Sequence, residues 1–172
     1  MGLGKELEVD TVDKTVTYLA DGSNQFQALT LIGAARRAWL ALAPGAAFGP
    51  AKQWPEWHFK SLAQRWQAEG GKIVLVGTKQ ECAVASEIAA ACPEALNLAG
   101  KSSLEALMSI LSNVDAVVPN DSGAMHLAAA LGTPGVAIFG STDPVATGPI
   151  GAPWQLVVSK ASCRPCFQRQ CT

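Results

Sequence analysis

Asp115-Ala-Val-Val-Pro-Asn-Asp-Ser-Gly-Ala-Met-His-Leu-Ala-Ala-Ala-Leu131 reads as a short apolar strand, a tight polar turn and an alanine-rich helix. That order is one half-unit of an open parallel sheet, whose ligands bind where strands hand over to helices. Asn120, Asp121 and Ser122 are all good N-cap residue types. Gly123 would let a ligand come close to backbone amides that the helix leaves unpaired. A phosphate or diphosphate placed there would be held by those amides and by the helix dipole.

Two side chains in this segment admit two readings each. His126 lies four residues after Ser122, on the same helical face, where its ring could reach whatever the amides bind; a packed core histidine fits the spacing equally well. Asp121 reads as a helix cap on its own, so a further role needs support from elsewhere in the chain.

Working outward, short apolar runs alternate with helical patterns from Leu40 onward, the signature of βαβ units. The expected strands are Leu40–Ala43, Ile73–Gly77, Ala116–Pro119, Val136–Phe139 and Leu156–Val158. After Pro55-Glu56, the residues Phe59, Leu62, Ala63 and Trp66 recur at i, i+3, i+4 and i+7 and predict a crossover helix. A second helix is expected over 80–91, with Val84, Ala85 and Ile88 inward and Pro93 ending it. A third follows Ser102, whose spacing to Glu105 is that of a capping box, with Leu104, Leu107, Met108 and Leu111 on one face as core. The first 39 residues show no sustained period and read as a connecting segment; residues 40–172 form the folded unit. The fold class is α/β, a single Rossmann-like doubly wound parallel sheet.

Two more loops belong at the same edge of such a sheet. Pro44-Gly-Ala-Ala-Phe-Gly-Pro-Ala-Lys-Gln-Trp-Pro55 carries Lys52, which is either a solvated surface charge or an anion ligand. Phe139-Gly-Ser-Thr-Asp-Pro144 offers Ser141, Thr142 and Asp143, although a plain turn accounts for Asp143-Pro144. Neither a Walker loop nor a dinucleotide fingerprint occurs.

The 172 residues suffice for one domain, with 49% hydrophobic and 16% charged residues, which favours a large core over disorder. A formal net charge of −1 gives no global reason to expect nucleic acid or an anionic membrane as partner. The apolar stretches are broken by charges and prolines and are too short for a bilayer-spanning helix. The start lacks the pattern of a secretory leader, so a cytoplasmic setting is expected.

The loop PGAAFGPAKQWP, the turn-helix NDSGAMHLAAALGTP and the loop FGSTDP, in that order, resemble the ADP-heptose:lipopolysaccharide heptosyltransferases, from about Leu40 to the end. The resemblance implies the C-terminal, donor-binding domain of a glycosyltransferase-B fold and an inverting transfer of heptose from ADP-heptose to the lipid A–core acceptor. It implies that Lys52 neutralises the donor diphosphate, that Ser122 and Gly123 hydrogen-bond to it, and that Asp121 and His126 lie near the heptose hydroxyls and the phosphates. Ala46, Ala47 and Phe48 would line the loop, and Glu81 would bond the adenosine ribose. The family's general base, an aspartate of the N-terminal domain, has no counterpart here, so no catalytic residue is assigned and the chain alone is expected to bind donor without transferring sugar.

No D-x-D motif is present, so no obligatory metal is expected, with Mg2+ stimulation left open. Cys163, Cys166 and Cys171 have C-x2-C-x4-C spacing and are weak metal candidates, with free thiols as the alternative. Two other functions keep the same fold: an isolated nucleotide-sugar binding module and a nucleotide-sugar 2-epimerase-like domain. Family members act on a membrane-embedded acceptor at the inner face of the inner membrane, so peripheral contact there is expected through the acceptor half.

Overall fold

The computed structural model describes residues 16–19, 38–151 and 153–171. Seven parallel strands form one sheet: β1 (Val16–Leu19), β2 (Trp39–Ala43), β3 (Lys72–Leu75), β4 (Leu96–Asn97), β5 (Ala116–Pro119), β6 (Gly135–Phe139) and β7 (Trp154–Ser159). The spatial order is β1-β7-β6-β5-β2-β3-β4. From β2 the chain winds outward through β3 and β4, and from β5 it winds the other way through β6 and β7. The reversal falls between the paired strands β2 and β5, whose register sets Leu40 opposite Ala116 and Ala43 opposite Pro119.

Helices α1 (Glu56–Ala68), α2 (Cys82–Ala90), α3 (Leu104–Ser112), α4 (Gly123–Ala130) and α5 (Pro144–Thr147) make the connections. Because side chains alternate across a strand, each central strand feeds two cores. Leu40 and Leu42 of β2 join Phe59, Leu62 and Trp66 of α1 and Ile88 of α2 on one face. Ala41 and Ala43 join Leu111 of α3 and Met125 and Ala128 of α4 on the other. The small residues on that second face let α4 come close to the strands. Trp66 completes its burial by donating from Nε1 to the Ala38 carbonyl at 3.1 Å.

The five expected strands are present with ends shifted by a residue or two, except that Val76 and Gly77 lie beyond β3. The α1 stripe is as expected, with Phe59, Leu62, Ala63 and Trp66 all buried. Five expectations need correction. Within residues 1–39, Val16–Leu19 pairs with β7 as an edge strand, a role that its isolated apolar patch did not signal. The short strand β4, which accepts two residues of pairing from β3, was also not expected. The second helix begins at Cys82, after a 3-10 turn over Lys79–Glu81, because Glu81 Oε2 accepts from the Thr78 amide at 2.6 Å and tightens the first turn.

In α3 the cap is Ser103, not Ser102: its Oγ accepts from the Ala106 amide at 3.2 Å. Leu104 is 62% and Met108 37% exposed, so neither is core filler. The inward stripe instead runs through the partly buried Leu107 and Ile110, the fully buried Leu111 and, just past the helix, the partly buried Val114. Both sets obey i, i+3, i+4, i+7, and only the position of the sheet selects between them. No helix among the described residues is long and apolar enough to cross a membrane.

Candidate functional site

At the C-terminal ends of β2, β3 and β5, over the reversal point of the sheet, lies a cavity of about 890 Å3. Its floor is the α4 N-terminus. Ser122 is the N-cap of α4 but makes no side-chain capping bond, and Gly123 is the first helical residue. The hydroxyl and the amides of Gly123 and Ala124 therefore border the cavity without an intrahelical partner, whereas the Met125 amide turns back to the Ser122 carbonyl at 3.1 Å. A Cβ built on Gly123 would meet no atom within 4 Å apart from its chain neighbours and the backbone of its own helix, and the backbone there is not left-handed. Neither the packing of the protein nor its backbone geometry requires glycine at this position.

Lys52 reaches the same place from the β2–α1 loop. Its Nζ lies 2.7 Å from Asp121 Oδ2, and the two side chains are 13% and 3% exposed. Asp121 Oδ2 also accepts from Thr142 Oγ1 at 2.6 Å and from Thr147 Oγ1 at 3.1 Å. Asp121 is thus not a helix cap; it joins three loops at the base of the cavity. Its neighbour Asn120, fully buried, fixes the Lys52 loop. Asn120 Oδ1 accepts from the Trp54 amide at 2.9 Å, and its Nδ2 donates to the carbonyls of Pro44 (2.7 Å) and Gly45 (3.3 Å). Cutting this buried amide would leave main-chain groups at both ends of the Pro44–Pro55 loop unsatisfied.

The opposite wall comes from the turn after β3. Glu81 packs against Gly45 and Gly77, where added Cβ atoms would fall on its carboxylate. The α3 residues Leu104 and Leu107 give that end of the cavity an apolar lining, which explains the exposure of Leu104.

The model of glycosyltransferase family 9 (heptosyltransferase) matches residues 5–172. The chain belongs to this family of heptosyltransferases.

Lipopolysaccharide heptosyltransferase 2 of Escherichia coli K12 is 36% identical over 153 residues, covering 86% of this chain and 41% of that protein. Lipooligosaccharide heptosyltransferase 2 of Haemophilus influenzae is 42% identical over 116 residues, or 64% of this chain and 34% of that protein. Among solved structures, E. coli ADP-heptose lps heptosyltransferase II superposes with a TM-score of 0.67 at 32% identity, over 80% of this chain and 44% of its own. E. coli heptosyltransferase WaaC with ADP gives 0.66 at 27% identity, over 78% and 42%. The chain therefore spans less than half the length of these relatives. The doubly wound sheet agrees with the glycosyltransferase-B fold expected of one of their halves.

All six residues singled out for donor binding, Lys52, Glu81, Asp121, Ser122, Gly123 and His126, line this one cavity. His126 is exposed on its wall and not packed in the core. Thr142 serves through Asp121, whereas Asp143 caps α5 by accepting from the Val145 amide at 3.0 Å, and Ser141 contributes only backbone. Thr147 went unrecognised, since nothing local to its sequence points to a carboxylate 26 residues away. The α3 lining went unrecognised because its apolar residues read as core. Cys163, Cys166 and Cys171 carry free thiols, and among the described residues no group of three or more candidate ligands is assembled for a metal.

Proposed function

We propose that this chain is the donor-binding part of an inverting heptosyltransferase that uses ADP-heptose to extend the lipopolysaccharide inner core. The observation that carries the reading is the meeting of the Lys52–Asp121 pair with the open α4 N-terminus, in a cavity whose bottom has room for a group directly over Gly123. A diphosphate set there would accept from the Gly123 and Ala124 amides and the Ser122 hydroxyl, and Lys52 would offset part of its charge. His126, one helical turn on, faces the position where a leaving ADP gains charge. Glu81 offers a carboxylate for a ribose diol, and the Leu104–Leu107 side offers an apolar bed for the base.

The general base is expected from the other half of the enzyme, since every candidate here sits on the phosphate side. That half would also carry the lipid A–core acceptor and any peripheral contact with the inner face of the inner membrane, where the acceptor resides. Mg2+ is not required by the site's donor set in this reading.

Calorimetric titration with ADP and ADP-heptose, with NAD as control, tests the proposal. Micromolar to sub-millimolar binding of the adenosine diphosphates is expected, weakened about 10- to 100-fold in Lys52→Ala by the loss of a charge-assisted contact. Binding of NAD as strong as that of ADP, or no binding of ADP, refutes the reading.

A further inference from the structure

The charged side chains lining the cavity are two carboxylates, Glu81 and Asp121, against one ammonium, Lys52, which Asp121 already holds at 2.7 Å. A diphosphate entering such a site needs more positive charge than the lining supplies. The missing charge is available just outside. Beyond β7 the chain turns back as a strap against the loop after β6: Arg164 donates to the carbonyls of Gly140 and Thr142, and the amides of Cys166 and Phe167 donate to Ser141 O at 3.1 and 2.9 Å. The Arg169 carbonyl then accepts from the Ala51 amide at 3.1 Å. This last approach depends on Gly49, whose φ is +153° and where a Cβ would lie 2.5 Å from Arg169 O.

The strap thereby sets the Arg169 guanidinium 5.1 Å from the centre of the Phe48 ring, and Lys52 Nζ lies 5.0 Å from the same centre. Phe48 is a cavity-lining residue, 37% exposed. Arg169 is itself exposed, and among the described residues it has no carboxylate partner.

We propose that Arg169 is a second diphosphate-binding cation, parked on Phe48 at the cavity mouth and free to swing onto the anion that Lys52 meets from below. The inference rests on the donor-site reading and assigns to the cysteine-bearing tail the work of delivering this arginine. A planar fork of donors suits a diphosphate, and leaving the Phe48 face forfeits only a weak cation–π contact.

The experiment compares the full chain with Arg169→Gln and Arg169→Lys, using ADP, adenosine and inorganic pyrophosphate as probes. Because the strap is anchored through the Arg169 backbone, the side-chain change leaves thermal unfolding unaltered. ADP and pyrophosphate should bind about ten-fold more weakly to Arg169→Gln, with partial recovery in Arg169→Lys and no change for adenosine. ADP and pyrophosphate affinities equal to wild type in Arg169→Gln would overturn the proposal while leaving the donor reading intact, and so would equal losses for adenosine, which indicate a structural effect. Pyrophosphate binding that depends on Arg169 in a chain that does not bind ADP would sustain the cation and sink the donor reading. A wild type that binds none of the phosphates ends both.

Discussion

Replacing Gly123 by alanine should separate folding from binding. At the first position of α4, with nothing outside the neighbouring residues and the helix backbone within 4 Å of the new methyl and no left-handed backbone to strain, the fold has no reason to resist. Alanine loses less backbone entropy than glycine on entering a helix, so stability should be unchanged or rise by up to about 1 kcal/mol. The methyl would occupy the space over the α4 amides that the bound phosphate needs. Losing one hydrogen bond to a charged group costs about 1.5–3 kcal/mol, or roughly 10- to 100-fold in ADP affinity. Chemical denaturation and calorimetry on the same preparation measure the two quantities. Unchanged ADP affinity would show that no anion sits against these amides. A loss of stability above about 1 kcal/mol would show that the backbone itself requires glycine, against the geometry. Lys52→Ala is a less selective probe. It leaves the buried Asp121 carboxylate on two threonine hydroxyls, so it should cost about 1–3 kcal/mol of stability as well as affinity.

Gly45→Ala should push the Glu81 carboxylate away from its seat and break its bond to the Thr78 amide, so stability should fall by about 1 kcal/mol. Adenosine affinity should fall several-fold while pyrophosphate affinity holds; competition binding with the two probes checks this, and equal losses for both would remove Glu81 from the ribose. His58 stacks between Trp54, with ring centroids 4.7 Å apart, and Trp57, at 3.4 Å, and burial pushes its pKa below the ordinary histidine value. The unfolded chain then takes up its proton at a higher pH than the folded chain, so stability present above about pH 6.5 is lost as pH falls toward the folded value. His58→Gln should flatten that slope in denaturation midpoints measured from pH 8 to 5; an unaltered slope would assign the pH dependence elsewhere.

The central strands were legible because a parallel sheet covered on both faces demands uninterrupted apolar runs, and Leu40–Ala43 and Val136–Phe139 supply them between turn residues. The α1 stripe was legible for the same reason, as a single register satisfies its period. Where two registers compete, as in α3, local periodicity has no vote. Choosing Leu107, Ile110 and Leu111 over Leu104 and Met108 takes the sheet against which the helix packs. The strands β1 and β4 are short and lie at the edges, where pairing with a neighbour outweighs weak local preference.

The site divides along the same line. The strand-turn-helix after Asp115 is local, so the placing of Ser122, Gly123 and His126 about an open helix N-terminus was readable from the chain. Lys52 and Glu81 could be named from the loops that carry them, because all strand ends of a parallel sheet gather at one edge. What holds those loops in place involves partners 21 to 76 residues apart: Asp121 with Lys52, Thr142 and Thr147, and Asn120 with the Pro44 carbonyl. The sequence by itself determined the local elements and the edge at which they would meet, since both follow from backbone preference and apolar periodicity. Only the tertiary structure decided which carboxylate receives the lysine, which stripe of α3 is buried and where the tail delivers Arg169, because each is a contact between segments that are neighbours only after the sheet has formed.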